Sequence, residues 1–143
     1  MLRDMIPQNQ LRGIISINQM QKNIKTVGIE ITPAIASYIE KKFSAFDRFV
    51  HDASSASCDI EVGKTTKHHR SGDVFRAEVN LIIAGEQYFA VSEKEDLYAA
   101  IDEVRDEIIR EITSRKNKSQ TMMRRGALRV KNMLKGLDWR KKN

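Results

Sequence analysis

The chain has 143 residues, 41% of them apolar and 31% charged, which is enough for one globular domain with its own core plus terminal extensions. A single cysteine, Cys58, excludes an intramolecular disulfide framework and a multi-cysteine zinc site and fits a reducing cytoplasm. The formal net charge of +6 is unevenly placed: from Arg110 to the end there are twelve Lys or Arg against Glu111 and Asp138, a net +10, which leaves −4 for residues 1–109. A basic C-terminal quarter on an otherwise acidic chain points to a polyanionic partner. No run of about 18 apolar residues exists, so no transmembrane helix is expected.

Residues 1–20 lack the apolar core and small-residue cleavage site of a secretory signal. They read as an extension, either unstructured or the product of an upstream start, because Met20 directly precedes the first structured segment. Lys22 to Glu30 is short and β-branched, a first strand. Thr32-Pro33 then supplies a helix cap followed by proline at the first helical position, where the missing N–H costs nothing. Ile35, Ile39, Phe43 and Phe46 continue at helical spacing to about Phe49, with Lys41, Lys42 and Arg48 off the stripe. Asp52 to Ser57 is a polar loop.

Cys58, Ile60 and Val62 alternate with Asp59 and Glu61, the period of a half-buried strand. The basic loop Gly63 to Asp73 leads to a clearer strand, in which Phe75, Ala77, Val79, Leu81 and Ile83 face one way and Arg76, Glu78 and Asn80 the other. Ala84-Gly85-Glu86 reads as a tight turn, which makes Gln87 to Val91 the second arm of a hairpin. Ser92 and Glu95 have capping-box spacing. From there Leu97, Ala100, Ile101, Val104, Ile108 and Ile112 recur at steps of three and four, with Asp102, Glu103, Asp106 and Glu107 on the exposed side of that helix.

The order β-α-β-β-β-α predicts an α+β fold: a four-stranded mixed sheet with both helices packed on one face. The first two strands are parallel through a right-handed crossover, and the last three form a meander. Residues 21–118 are read as this domain and 119–143 as a basic amphipathic tail. In the tail Met123, Ala127, Val130, Leu134 and Leu137 form a stripe flanked by Arg124, Arg125, Arg129, Lys131 and Lys135. Gly126 lowers helix stability there by about 1 kcal/mol relative to alanine, so the tail is expected to gain order on a partner.

His68, His69 and Asp73 are the one constellation resembling a catalytic or metal site. Adjacent histidines in a glycine-flanked loop are not aligned as in a helical zinc motif, and no further ligand lies close by. Phosphate-binding, dinucleotide-binding and nucleophile-elbow motifs are absent. We therefore expect no enzyme, no metal, no cofactor and no small-molecule substrate. Basic residues cluster instead at the exit of the last helix (Arg110, Arg115, Lys116, Lys118), on the first helix (Lys41, Lys42) and in the loop (Lys64, Lys67, Arg70). Aromatic residues show no base-stacking pattern, so recognition through phosphate and shape is expected rather than base reading. A double-stranded-RNA or general polyanion-binding module satisfies these features too. A helix lying on a membrane surface competes for the tail alone, although no membrane partner is expected.

Three stretches, IEITPAI (29–35), HHRSGDVFRAEVNL (68–81) and EDLYAAID (95–102), give the chain a resemblance to the ribosome hibernation promoting factor family, also called protein Y or ribosome-associated inhibitor A. The resemblance covers roughly Met20 to Lys118. It implies binding to the small ribosomal subunit and its 16S rRNA in the channel used by messenger and transfer RNA. It also implies inhibition of translation and protection of idle ribosomes in starvation or stationary phase. By resemblance, the rRNA-facing residues are Lys41, Lys42, Lys64, Arg110, Arg115, Lys116 and Lys118, with Lys67 and Arg70 in the adjacent loop. Glu107 departs from the family, standing where a basic residue is common. The tail departs as well: 25 residues are too few for the dimerisation domain of long members, and they are basic where some short members end acidic. Contacts from the tail to rRNA or to a ribosomal protein are expected.

Overall fold

The computed structural model describes residues 19–65 and 72–141, with side chains described as far as Gly136. The elements are β1 (Gln21–Val27), α1 (Pro33–Phe43), β2 (Ser57–Thr65), β3 (Val74–Ile83), β4 (Glu86–Lys94) and α2 (Leu97–Lys141). The sheet order is β1-β2-β3-β4, with β1 parallel to β2 and the other pairs antiparallel. This is the expected α+β arrangement of a mixed sheet with both helices on one face. The chain divides between Ile109 and Arg110 into two compact units.

Strand register explains which face is covered. The rows Ile24–Ile60–Val79–Ala90 and Thr26–Val62–Ala77–Ser92 lie on one side of the sheet, and Cys58, Leu81 and Tyr88 continue it. Cys58, Val62, Ala77, Val79 and Leu81 are fully buried, as are Ile39, Phe43 and Phe46 from the α1 region and Ile101, Val104 and Ile108 from α2. The opposite row, Asn23–Asp59–Asn80–Phe89, is polar apart from Phe89, which is 51% exposed. Helices on one side and water on the other is what alternating strands require.

Thr32 caps α1 as expected, its hydroxyl oxygen accepting from the Ile35 N–H at 3.2 Å with Pro33 at the first helical position. The α-helix ends at Phe43, however, and Ser44–Phe49 tightens into a 3-10 turn. The Ser44 hydroxyl donates to the Lys41 carbonyl at 2.7 Å, a local bond that competes with the regular ladder. The three-residue repeat still places Phe46 against Phe43, with ring centroids 5.3 Å apart and both side chains buried.

Two loop and cap assignments need correction. Gly63 belongs to β2, which runs on to Thr65, because β1 approaches it too closely for any side chain. A Cβ there would sit 2.2 Å from the Val27 carbonyl oxygen. Ser92 is not the helix cap: it pairs with Ala77 inside β4, is buried, and its hydroxyl donates to the Glu103 carboxylate. The helix starts at Leu97, and Asp96 caps it by accepting from the Tyr98 N–H at 3.3 Å. The capping-box spacing is present, but Ser92 belongs to a strand that runs to Lys94, three residues beyond the expected end at Val91.

The hairpin is a two-residue turn. Ile83 pairs with Glu86, and Ala84 and Gly85 take φ of 50° and 80°. Two left-handed residues match the twist of the flanking strands.

Lys22 lies at the edge of the covered face with a side chain only 6% exposed, and it pairs with Asp47 of the 3-10 turn at 3.2 Å. Beside it the Cys58 thiol is pushed up from an ordinary 9.0 to about 12, chiefly by burial, with the Lys22 charge opposing the shift. Native protein should therefore resist thiol reagents at pH 8 and react at the rate at which it unfolds. Because the thiol ionises earlier in the unfolded chain, its contribution to stability is complete below pH 9 and is lost as pH rises towards 12. Alkaline denaturation of wild type beside Cys58→Ala measures that slope. Gly63→Ala should cost about 3 kcal/mol by forcing β1 from β2, read as a lower denaturant midpoint; an unchanged midpoint would refute the close-approach argument.

Candidate nucleic-acid interface

Of the cations singled out in the first unit, Lys41, Lys42 and Lys64 sit near the ends of elements. Lys41 and Lys42 occupy the last turn of α1, where positive charge complements the helix dipole. Lys41 is exposed. Lys42 is half-buried, 3.3 Å from the Asp102 carboxylate and with its ammonium 5.2 Å from the centre of the Tyr38 ring. The Tyr38 hydroxyl donates to the same carboxylate at 2.8 Å, and its ring meets Tyr98 edge-on at 4.6 Å. Burial and the bonded Asp102 carboxylate raise the Tyr38 pKa, with Lys42 pulling the other way. Asp102 therefore ties α1 to the start of α2 and occupies Lys42.

The helix carboxylates lie on the exposed side, as expected, and three of them also hold partners. Asp102 holds Tyr38 and Lys42, Glu103 pairs with Lys94 at 3.2 Å as well as with Ser92, and Asp106 takes the guanidinium of Arg105 at 2.6 Å. Periodicity placed these groups off the apolar stripe but could not show which neighbours α1 and β4 would bring to them.

Lys64 stands near the end of β2. It pairs with Asp73 at 3.0 Å, and its ammonium lies 5.7 Å from the Phe75 ring centre. Lys67, Arg70, His68 and His69 lie outside the described residues. Among the described residues no group of three or more His, Cys, Asp or Glu converges as a metal site, and no helix is long and apolar enough to cross a membrane.

In the second unit α2 is helical through Gly126, and every residue from Lys116 to Gly136 is exposed. Arg110, Lys118 and Arg125 share one face with Thr113, Ser114, Asn117 and Thr121 and line one open hollow. The set follows from spacings of three, four, seven, eight, eleven and fifteen residues from Arg110, which return to one side of a 3.6-residue helix. Arg115 and Lys116 do not join it. They turn towards the side carrying Ile112, and Arg115 is engaged by Glu111 one turn earlier. Arg124, Lys131 and Lys135 lie along one flank of the tail and Arg129 along the other. Charge counting therefore grouped residues that the helix separates, and it missed the hydroxyl and amide groups between the cations. Helical spacing applied to polar residues as well as charged ones would have found them.

This face presents positive charge and hydrogen-bond donors, without an aromatic platform or an enclosed cavity. Cations and hydrogen-bond donors spaced in this way can reach the phosphates of an extended polyanion.

Comparison with known proteins accords with the fold and extends it. A family model described as Sigma 54 modulation protein / S30EA ribosomal protein matches residues 23–120. A protein of Klebsiella oxytoca named ribosome hibernation promoting factor is 33% identical over 99 residues, covering 69% of this chain and 96% of that protein. The N-terminal domain of Thermus thermophilus Protein Y superposes with a TM-score of 0.50 at 31% identity, over 62% of this chain and 88% of that one. A ribosomal subunit interface protein from Coxiella burnetii shares the fold, with a TM-score of 0.54 at 17% identity, over 68% of this chain and 99% of the other. With a family model matched over more than half its length and a relative this similar spanned almost entirely, the chain belongs to the Sigma 54 modulation protein / S30EA ribosomal protein family, whose curated relatives include ribosome hibernation promoting factors.

Proposed function

We propose that this protein is a non-enzymatic, cytoplasmic ribosome hibernation factor. It binds the small ribosomal subunit against 16S rRNA in the messenger and transfer RNA channel. Steric occlusion of decoding then silences idle ribosomes and protects them during starvation or stationary phase. The observation that carries this reading is the cationic face of α2. Arg110, Lys118 and Arg125 stand eight and seven residues apart, and Thr113, Ser114, Asn117 and Thr121 fill the intervals with hydrogen-bonding groups. Cations meet phosphates, while hydroxyl and amide groups suit both phosphate oxygens and the ribose 2′-OH that marks RNA. The 21–118 segment is the proposed binding domain, with Lys41, Lys42, Lys64, Lys67 and Arg70 as further contacts. The 119–143 tail adds to it through Arg124, Arg125, Arg129, Lys131 and Lys135.

The geometry separates two sets of cations that charge alone would treat as equal. Binding to purified small subunits, followed by cosedimentation across a salt series, should weaken by roughly 10²-fold in R110E/K118E/R125E, with a shallower dependence on salt. R115E/K116E should lose much less. The reverse order would sink the assignment of the face. Bare structured RNA competing as well as intact subunits would favour a general polyanion-binding module.

Lys42 gives a second test. Its pairing with Asp102 must be broken or shared when a phosphate arrives, so Asp102→Asn should tighten subunit binding by about two- to threefold while lowering stability by about 1 kcal/mol. Weaker binding in that variant would instead identify Asp102 as the group that positions Lys42.

A further inference from the structure

The family match ends at residue 120, and apart from Tyr98 the exposed large apolar residues described in α2 lie beyond it. Met122 and Met123 are each 72% exposed, Met133 is 70%, and Val130 and Leu134 are 57% each. Met123, Val130, Met133 and Leu134 fall with Ala127 and Gly126 on one side of the helix, away from the Arg110, Lys118 and Arg125 face, whereas Met122 lines the hollow of that face and Leu128 lies outside the stripe. Arg129 borders the stripe on one edge and Lys131 on the other. A phosphate backbone neutralises cations but leaves such a stripe in water, so RNA alone does not account for this helix.

Charge decides among the occupants that could cover it. Pairing with a second copy would bring Arg129 and Lys131 against the same cations, and no acidic residue occurs between Glu111 and Asp138 to relieve them. A bilayer would take the stripe and its bordering cations but turn the Arg110, Lys118 and Arg125 face away from the negative surface. Only a partner with an apolar, acid-rimmed groove beside exposed RNA uses both faces together.

Resting on the ribosomal reading above, we infer that the apolar stripe of the tail docks into an acid-rimmed apolar groove of a protein component of the small subunit, while the opposite face holds rRNA. The mode is an amphipathic helix laid in a groove. Its flexible methionines adapt to an irregular lining.

The test uses the full chain and purified small subunits. V130Q/L134Q keeps good helix formers and the net charge, which circular dichroism would verify. It should weaken binding about tenfold with an unchanged dependence on salt, unlike R110E/K118E/R125E. A benzophenone side chain in place of Met123 should crosslink to a ribosomal protein, and one in place of Lys118 to rRNA. Unchanged affinity of V130Q/L134Q, or a position-123 adduct to rRNA or to a second copy, would overturn the inference. So would loss of binding to phosphatidylglycerol vesicles with subunit binding intact, which would assign the stripe to a membrane. Wild type that fails to bind subunits would defeat the ribosomal reading itself, an outcome distinct from intact binding with an inert stripe.

Discussion

One apolar layer, caught between a single face of a four-stranded sheet and two helices, holds the folded unit together. Ile101, Val104 and Ile108 on one helix and Ile39, Phe43 and Phe46 from the other region cover Cys58, Val62, Val79 and Leu81, all essentially without solvent exposure. Burying side chains of this size stabilises by about 1.5–3 kcal/mol each before conformational entropy is set against it. Everything else is constrained by keeping that layer closed. The strand register must hold all inward residues on one side, and Gly63 must stay bare so that β1 can join the sheet. The helices must then cross the same face.

Polar groups then fix how the helices sit. Lys22 and Asp47 close the edge of the layer, and the removal of either member of such a buried pair is costly because the other is left without its counter-charge. Asp102 receives both Tyr38 and Lys42, and Glu103 receives Ser92 and Lys94. The acidic half of α2 is therefore a set of ties within the domain. Its cost is that Lys42 already has a partner, as Lys64 has in Asp73 ahead of β3. The second unit differs: Arg110, Lys118 and Arg125 align along one helix side among neutral hydrogen-bonding residues.

The relation to the family has the same two-part character. The matched region spans the sheet, the first helix and the early part of the second, where the buried layer constrains sequence. Beyond residue 120 no core imposes a pattern, yet the chain keeps an apolar stripe through Leu134 at considerable exposure. Such a stripe separates the tail from a uniformly charged basic extension.

The sequence by itself determined the element order, the alternation of the strands, the Thr32-Pro33 helix start and the presence of the hairpin, because each depends on neighbours within a few positions. It also located the basic quarter of the chain. Only the tertiary structure decided that Gly63 is a strand residue, that Ser92 serves the sheet and leaves the cap to Asp96, and that Asp102 and Glu103 bind across elements. The reason is physical: these roles depend on which groups lie a few ångströms away in space, and the spacing along the chain does not encode that distance.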